Sequence, residues 1–123
     1  MLKSEKIKLL ETLLSLSINH TEIVDDMAKT DQTYVVLDVR NAPDFVKKDQ
    51  IKGAVAIPAK ILASKLDSLD KHKTYVVYDW TAGTTLGKEA LHILVAAGFE
   101  AYELSCALEG WKGMNLPIEQ IVQ

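Results

Sequence analysis

The stretch from Thr74 to Gly98 constrains the fold of this chain more than any other. Thr74-Tyr75-Val76-Val77-Tyr78 is β-branched and aromatic, follows the polar Asp70-Lys71-His72-Lys73, and predicts a buried strand. Asp79-Trp80-Thr81-Ala82-Gly83-Thr84-Thr85 is short and rich in small residues. Leu86, Ala90, Leu91, Leu94 and Val95 then recur at helical spacing until Gly98, predicting a helix over 85–97. A strand, a tight loop and a helix N-terminus form an anion cradle, because the first helical N–H groups lack intrahelical partners. The side chain aimed into this cradle is Asp79, which brings its own negative charge. Backbone N–H groups are expected to hold that carboxylate, which in turn orders the loop and repels an incoming anion by like charge.

The rest of the chain keeps the same rhythm. Strands are predicted at 34–39, 54–57 and 101–104, with helices at about 43–48, 59–66 and 107–113. This alternation predicts an α/β fold with a central parallel sheet of about five strands and helices on both faces. Ahead of it, Leu2, Ile7, Leu9, Leu10, Leu13, Leu14 and Leu16 form a wide helical stripe, with Lys3, Lys6, Lys8 and Glu11 expected outside it. Asn19 or Thr21 is expected to cap a second short helix, 22–28. The chain is read as an N-terminal helical extension, 1–17, and one domain, 18–123, long enough for a single core.

Further motifs fall in a recognisable order. Tyr34-Val35-Val36-Leu37-Asp38-Val39-Arg40 is a strand ending in Asp-Val-Arg, with Pro43-Asp44-Phe45 after it. Ile51-Lys52-Gly53-Ala54-Val55-Ala56-Ile57-Pro58 is similar to a His-Ile-Pro-Gly-Ala-x-x-Ile-Pro stretch. Ala97-Gly98-Phe99 closes a helix, and Leu104 through Trp111 with Leu116-Pro117 makes a C-terminal signature. Together, from about Ile18 to Pro117, these pieces resemble the rhodanese-like (thiosulfate sulfurtransferase) family. The resemblance implies a three-layer sandwich. It also implies that Asp79 stands where active members carry a nucleophilic cysteine that becomes a persulfide. Many members have a loop arginine, whereas this chain has Trp80, Thr81 and Thr84 and no basic residue before Lys88. Gln50 and Lys52 replace the family's histidine and first proline. The expected function is therefore a binding or regulatory module, inactive in sulfur transfer. The binding loop is Asp79, Trp80, Thr81, Ala82, Gly83, Thr84 and Thr85. Its expected occupant is a protein or a small anionic or sulfur-containing ligand.

Two enzymatic alternatives stay open. Cys106, the lone cysteine, is a candidate displaced thiol, since sulfur transfer needs a soft thiolate. Asp79 could instead be the nucleophile of an aspartyl-based phosphohydrolase, which needs Mg²⁺ and usually a second carboxylate close by. Asp38 and Arg40 are read as structural, tying neighbouring loops together. Arg40 is the sole arginine, so a clamp of several arginines on an anion is ruled out.

One cysteine forms no intrachain disulfide or multi-cysteine zinc site, and His20, His72 and His92 lack ligand spacing. No cofactor or metal is expected. A net charge of −3 argues against nucleic-acid binding. No apolar run reaches the ~20 residues of a membrane span, and no small-residue cleavage site follows the first leucines. A cytoplasmic protein is expected, with the apolar stripe of the N-terminal helix packed against the domain first, and a homodimer through that helix as its second use.

Overall fold

The structure is a computed structural model and describes residues 1–122. Five strands form one parallel sheet: β1 (Ser17–Ile18), β2 (Tyr34–Asp38), β4 (Val55–Ala56), β5 (Thr74–Tyr78) and β6 (Glu100–Leu104), in the order β1-β6-β5-β2-β4. The two longest pairings flank β5, which is therefore the central strand. Its register runs Thr74–Tyr78 against Tyr34–Asp38 on one side and Thr74–Val77 against Glu100–Glu103 on the other.

Successive strand residues point to opposite faces, and both faces are covered. Leu37, Val39, Tyr75, Val77 and Ala101 pack with Leu62 of α4 (Ala59–Lys65) and with Ala90, Leu91 and Leu94 of α5 (Leu86–Ala96). Val36, Val76, Tyr78 and Leu104 face the other way. There they meet Ile23 of α2 (His20–Met27) and Leu108 and Trp111 of α6 (Ala107–Gly113). The uninterrupted apolar run of β5 follows from this double coverage. Gly98 ends α5 at φ +87°, a left-handed turn that a side chain would strain. It lets the Phe99 N–H return to the Leu94 carbonyl at 3.0 Å and closes the helix.

Four features differ from the sequence reading. The strand β1 has only two residues, too few for periodicity to register, yet it pairs with Glu103 and Leu104 and makes Ser17 part of the sheet. A separate antiparallel pair joins β3 (Asp49–Ile51) to β7 (Ile118–Gln120), where no strand was expected. The helix α2 begins at His20, so Thr21 lies inside it. Asn19 occupies the N-cap position with no side-chain capping bond. The first helix, α1 (Lys3–Ser15), buries none of its residues against the domain.

Candidate functional site

The C-terminal ends of β2 and β5 lie side by side, with Asp38 paired to Tyr78. One residue beyond the β5 end is Asp79, buried at 4% exposure. Its Oδ2 accepts a hydrogen bond from the Thr84 hydroxyl, which also lies 3.0 Å from the Thr81 carbonyl. A hydroxyl has one proton, so these two acceptors share it. Asp79 Oδ1 is buried and finds no partner among the described residues.

This corrects the expected N–H cradle. Among the described residues no backbone N–H donates to the Asp79 carboxylate; its one donor is the Thr84 hydroxyl, two residues ahead of α5. The loop backbone is anchored elsewhere. The carbonyls of Asp79 and Trp80 accept from the N–H groups of Leu108 and Glu109, at 3.0 and 2.9 Å. The first turn of α6 is thus fastened to the loop.

Behind the loop lies a polar network. Arg40 and Asp38 are both fully buried. Arg40 Nε lies 2.9 Å from Asp38 Oδ1, and Nη2 lies 2.6 Å from Asp38 Oδ2 and 2.6 Å from the Asp49 carbonyl. Tyr78 donates its hydroxyl to Asp38 Oδ2 at 2.9 Å and accepts the Ile51 N–H at 3.1 Å. These bonds hold the ends of β2 and β5 to β3. Burial opposes the Arg40 charge, but the hydrogen bond and charge of Asp38 outweigh it and hold the guanidinium above its usual range. Burial first, and the Asp38 charge second, push the Tyr78 phenol far above its ordinary value. Such groups stay in one protonation state across the physiological range.

Trp80 joins the loop to this network. Its ring centre lies 4.3 Å from the Arg40 guanidinium carbon, a cation–π stack. Arg40 Nη1 is buried without a hydrogen-bond acceptor among the described residues. The sole arginine is therefore committed to the interior. Trp80 itself stays 37% exposed and lines a cleft of about 360 Å³ with Thr81, Leu108, Glu109 and Lys112.

Cys106 occupies the N-cap position of α6, two residues before the Leu108 N–H that meets the loop. It is half-buried, and its thiol donates to the Ala107 carbonyl at 3.3 Å. Burial pushes that thiol's pKa up. Ala82 lines a different, largely apolar groove beside α1 and α5. Gln50 donates to the Ala54 carbonyl and to Glu119, within the β3–β7 pair. Among the described residues no group of three or more His, Cys, Asp or Glu is placed to hold a metal ion. No helix among them is long and apolar enough to cross a membrane.

Sequence reasoning missed Tyr78, Asp49, Leu108, Glu109 and Lys112 as neighbours of the loop. For Tyr78 a signal was present: a polar aromatic closing a buried strand needs a partner for its hydroxyl. The others depend on how α6 and β3 return to the sheet.

A parallel five-stranded sheet with helices on both faces, carrying a strand-end loop sealed by a terminal helix, defines the class of this chain. A model of the Rhodanese-like domain matches residues 20–114, and the chain belongs to that family. It is 34% identical over 86 residues to "Uncharacterized protein YibN" of Escherichia coli K12, covering 68% of this chain and 59% of that protein. Among solved structures, a full-length protein from Lactobacillus plantarum superposes with TM-score 0.95 at 63% identity, over 98% of this chain and all of that one. The BH2092 protein from Bacillus halodurans gives TM-score 0.81 at 25% identity, over 95% and 85% of the two chains. A rhodanese-related protein from Thermoplasma volcanium shares the fold at TM-score 0.71 and 22% identity, over 84% and 96%.

Proposed function

We propose that this rhodanese-like domain is a non-catalytic binding or regulatory module of the cytoplasm, which engages its partner through the Asp79–Thr85 loop. Asp79 stands where active members of the family carry the cysteine nucleophile, and a carboxylate cannot hold a sulfane sulfur. One observation carries the reading: the Asp79 carboxylate is buried and occupied by the Thr84 hydroxyl from its own loop. The space that would receive a substrate anion already holds a fixed one.

Of the two kinds of occupant expected, a protein segment fits better than an anion. Asp79 repels negative charge, and Arg40 is engaged by Asp38, Asp49 and Trp80. Trp80 offers a partly open aromatic face beside a cleft with apolar and charged walls, the composition from which interface anchors are drawn.

The enzymatic alternatives receive less support. A thiol raised by burial is a poorer source of thiolate at neutral pH, which weighs against Cys106. A phosphohydrolase would want a second carboxylate at Asp79, whose side chain instead meets Thr84. The test is thiocyanate release from thiosulfate and cyanide by the purified protein. No rate above the buffer blank is expected. A rate that disappears in Cys106→Ser overturns the proposal.

A further inference from the structure

The helix α1 has 13 residues and buries none of them against its own domain. An isolated helix of that length is marginal in water. Leu2, Ile7, Leu9, Leu10, Leu13 and Leu14 are between 46% and 74% exposed. With Met1 and Leu16, the exposed surface of these residues is on the order of 800 Å². That equals one partner's share of a standard-size interface and exceeds the apolar patch that a monomer ordinarily leaves open.

At the base of α1 the fold supplies a matching surface. A groove of about 640 Å³ runs between the last turn of α1 and α5, lined by Leu13, Leu16, Leu91, Val95, Ala96 and Ala82, among others. Ridge and groove are continuous, because Leu13 belongs to both. Two copies related by a two-fold axis can each offer the ridge and receive the other's, which is the requirement of an isologous interface.

We propose that the occupant of this groove is α1 of a second copy of the chain, packed antiparallel to the first. Antiparallel packing brings Leu9 and Leu10 of both copies together at the axis. The first turns of each helix then lie in the other's groove. Those turns carry Lys3 and Lys6 on the same helical face as Leu10 and Leu13, and in the groove that receives them Glu103 already pairs with Lys88 at 3.2 Å, so the seat rests on apolar contact rather than on charge. Because Ala82 lines the groove, the partner's helix would also rest against the back of the loop that holds Asp79.

Sedimentation equilibrium on the full chain tests this, with helix content followed by circular dichroism. The parent is expected to dimerise reversibly. Leu10→Glu/Leu14→Glu changes the ridge, and Val95→Glu changes the groove wall. All three positions are at least 48% exposed in one copy, so each variant is expected to keep its domain fold. Each should raise the dimer Kd at least about tenfold. A parent that stays monomeric overturns the proposal, including one whose helix content rises only on adding phosphatidylglycerol vesicles. A dimer unchanged by Val95→Glu overturns the seat in the groove.

Discussion

Arg40 and Trp80, forty residues apart in the chain, form a stack in which the guanidinium carbon lies 4.3 Å from the ring centre. The buried ion pair of Arg40 with Asp38 is thereby joined to the loop that carries Asp79. Removing one partner of a buried pair leaves an uncompensated charge, which costs roughly 3–5 kcal/mol. Arg40→Met is expected to destabilise the domain by about that amount in urea melts. Arg40→Met/Asp38→Asn should recover part of the loss, since it removes the stranded carboxylate.

Tyr78 places its hydroxyl between the Ile51 N–H and Asp38 Oδ2. Tyr78→Phe leaves both groups short of a partner in the interior and should cost about 1–3 kcal/mol. The phenol's pKa is raised in the folded state, so its contribution is complete below the unfolded value of ~10 and is lost as pH rises above that. Parent and Tyr78→Phe melts compared between neutral and alkaline pH should show the parent losing more stability as pH rises. Tyrosinate absorbance should also show one fewer tyrosine ionising before unfolding.

Burial raises the pKa of the Cys106 thiol. Reaction with a disulfide reagent near neutral pH should therefore be slower in the native protein than in urea, by about tenfold or more. Equal rates would mark the thiol as open and reactive.

Gly110 lies one helical turn beyond Cys106, and a Cβ added there would sit 2.8 Å from the Cys106 Cβ. Gly110→Ala forces α6 to shift where it is bonded to the loop, and should cost about 1–3 kcal/mol. If the melts instead show a gain from helix propensity alone, α6 is less tightly held than its contacts imply.

The parts of the fold legible in the sequence were those whose cause is local. The run Thr74–Tyr78 reads as a strand because both of its faces are buried. The helix α5 reads as a helix because Ala90, Leu91 and Leu94 share the face turned to the sheet. Ser17–Ile18 was hidden because two residues have no period, and β3 with β7 because Gln50 and Glu119 meet only once the chain has closed. At the site, the loop and its aspartate stood out from strand, turn and helix signals. The partner of Asp79 did not, since a hydroxyl five residues on competes with helix N–H groups on geometry that no spacing rule encodes. The stack on Trp80 depends on β2 lying beside β5, a consequence of topology.

The proposed function requires that this domain carry no sulfane sulfur. The most direct test is the intact mass of the native protein after incubation with thiosulfate, before and after adding cyanide. An unchanged mass in both samples is predicted. A mass increased by one sulfur atom, removed by cyanide and absent in Cys106→Ser, would contradict the account and make Cys106 the carrier.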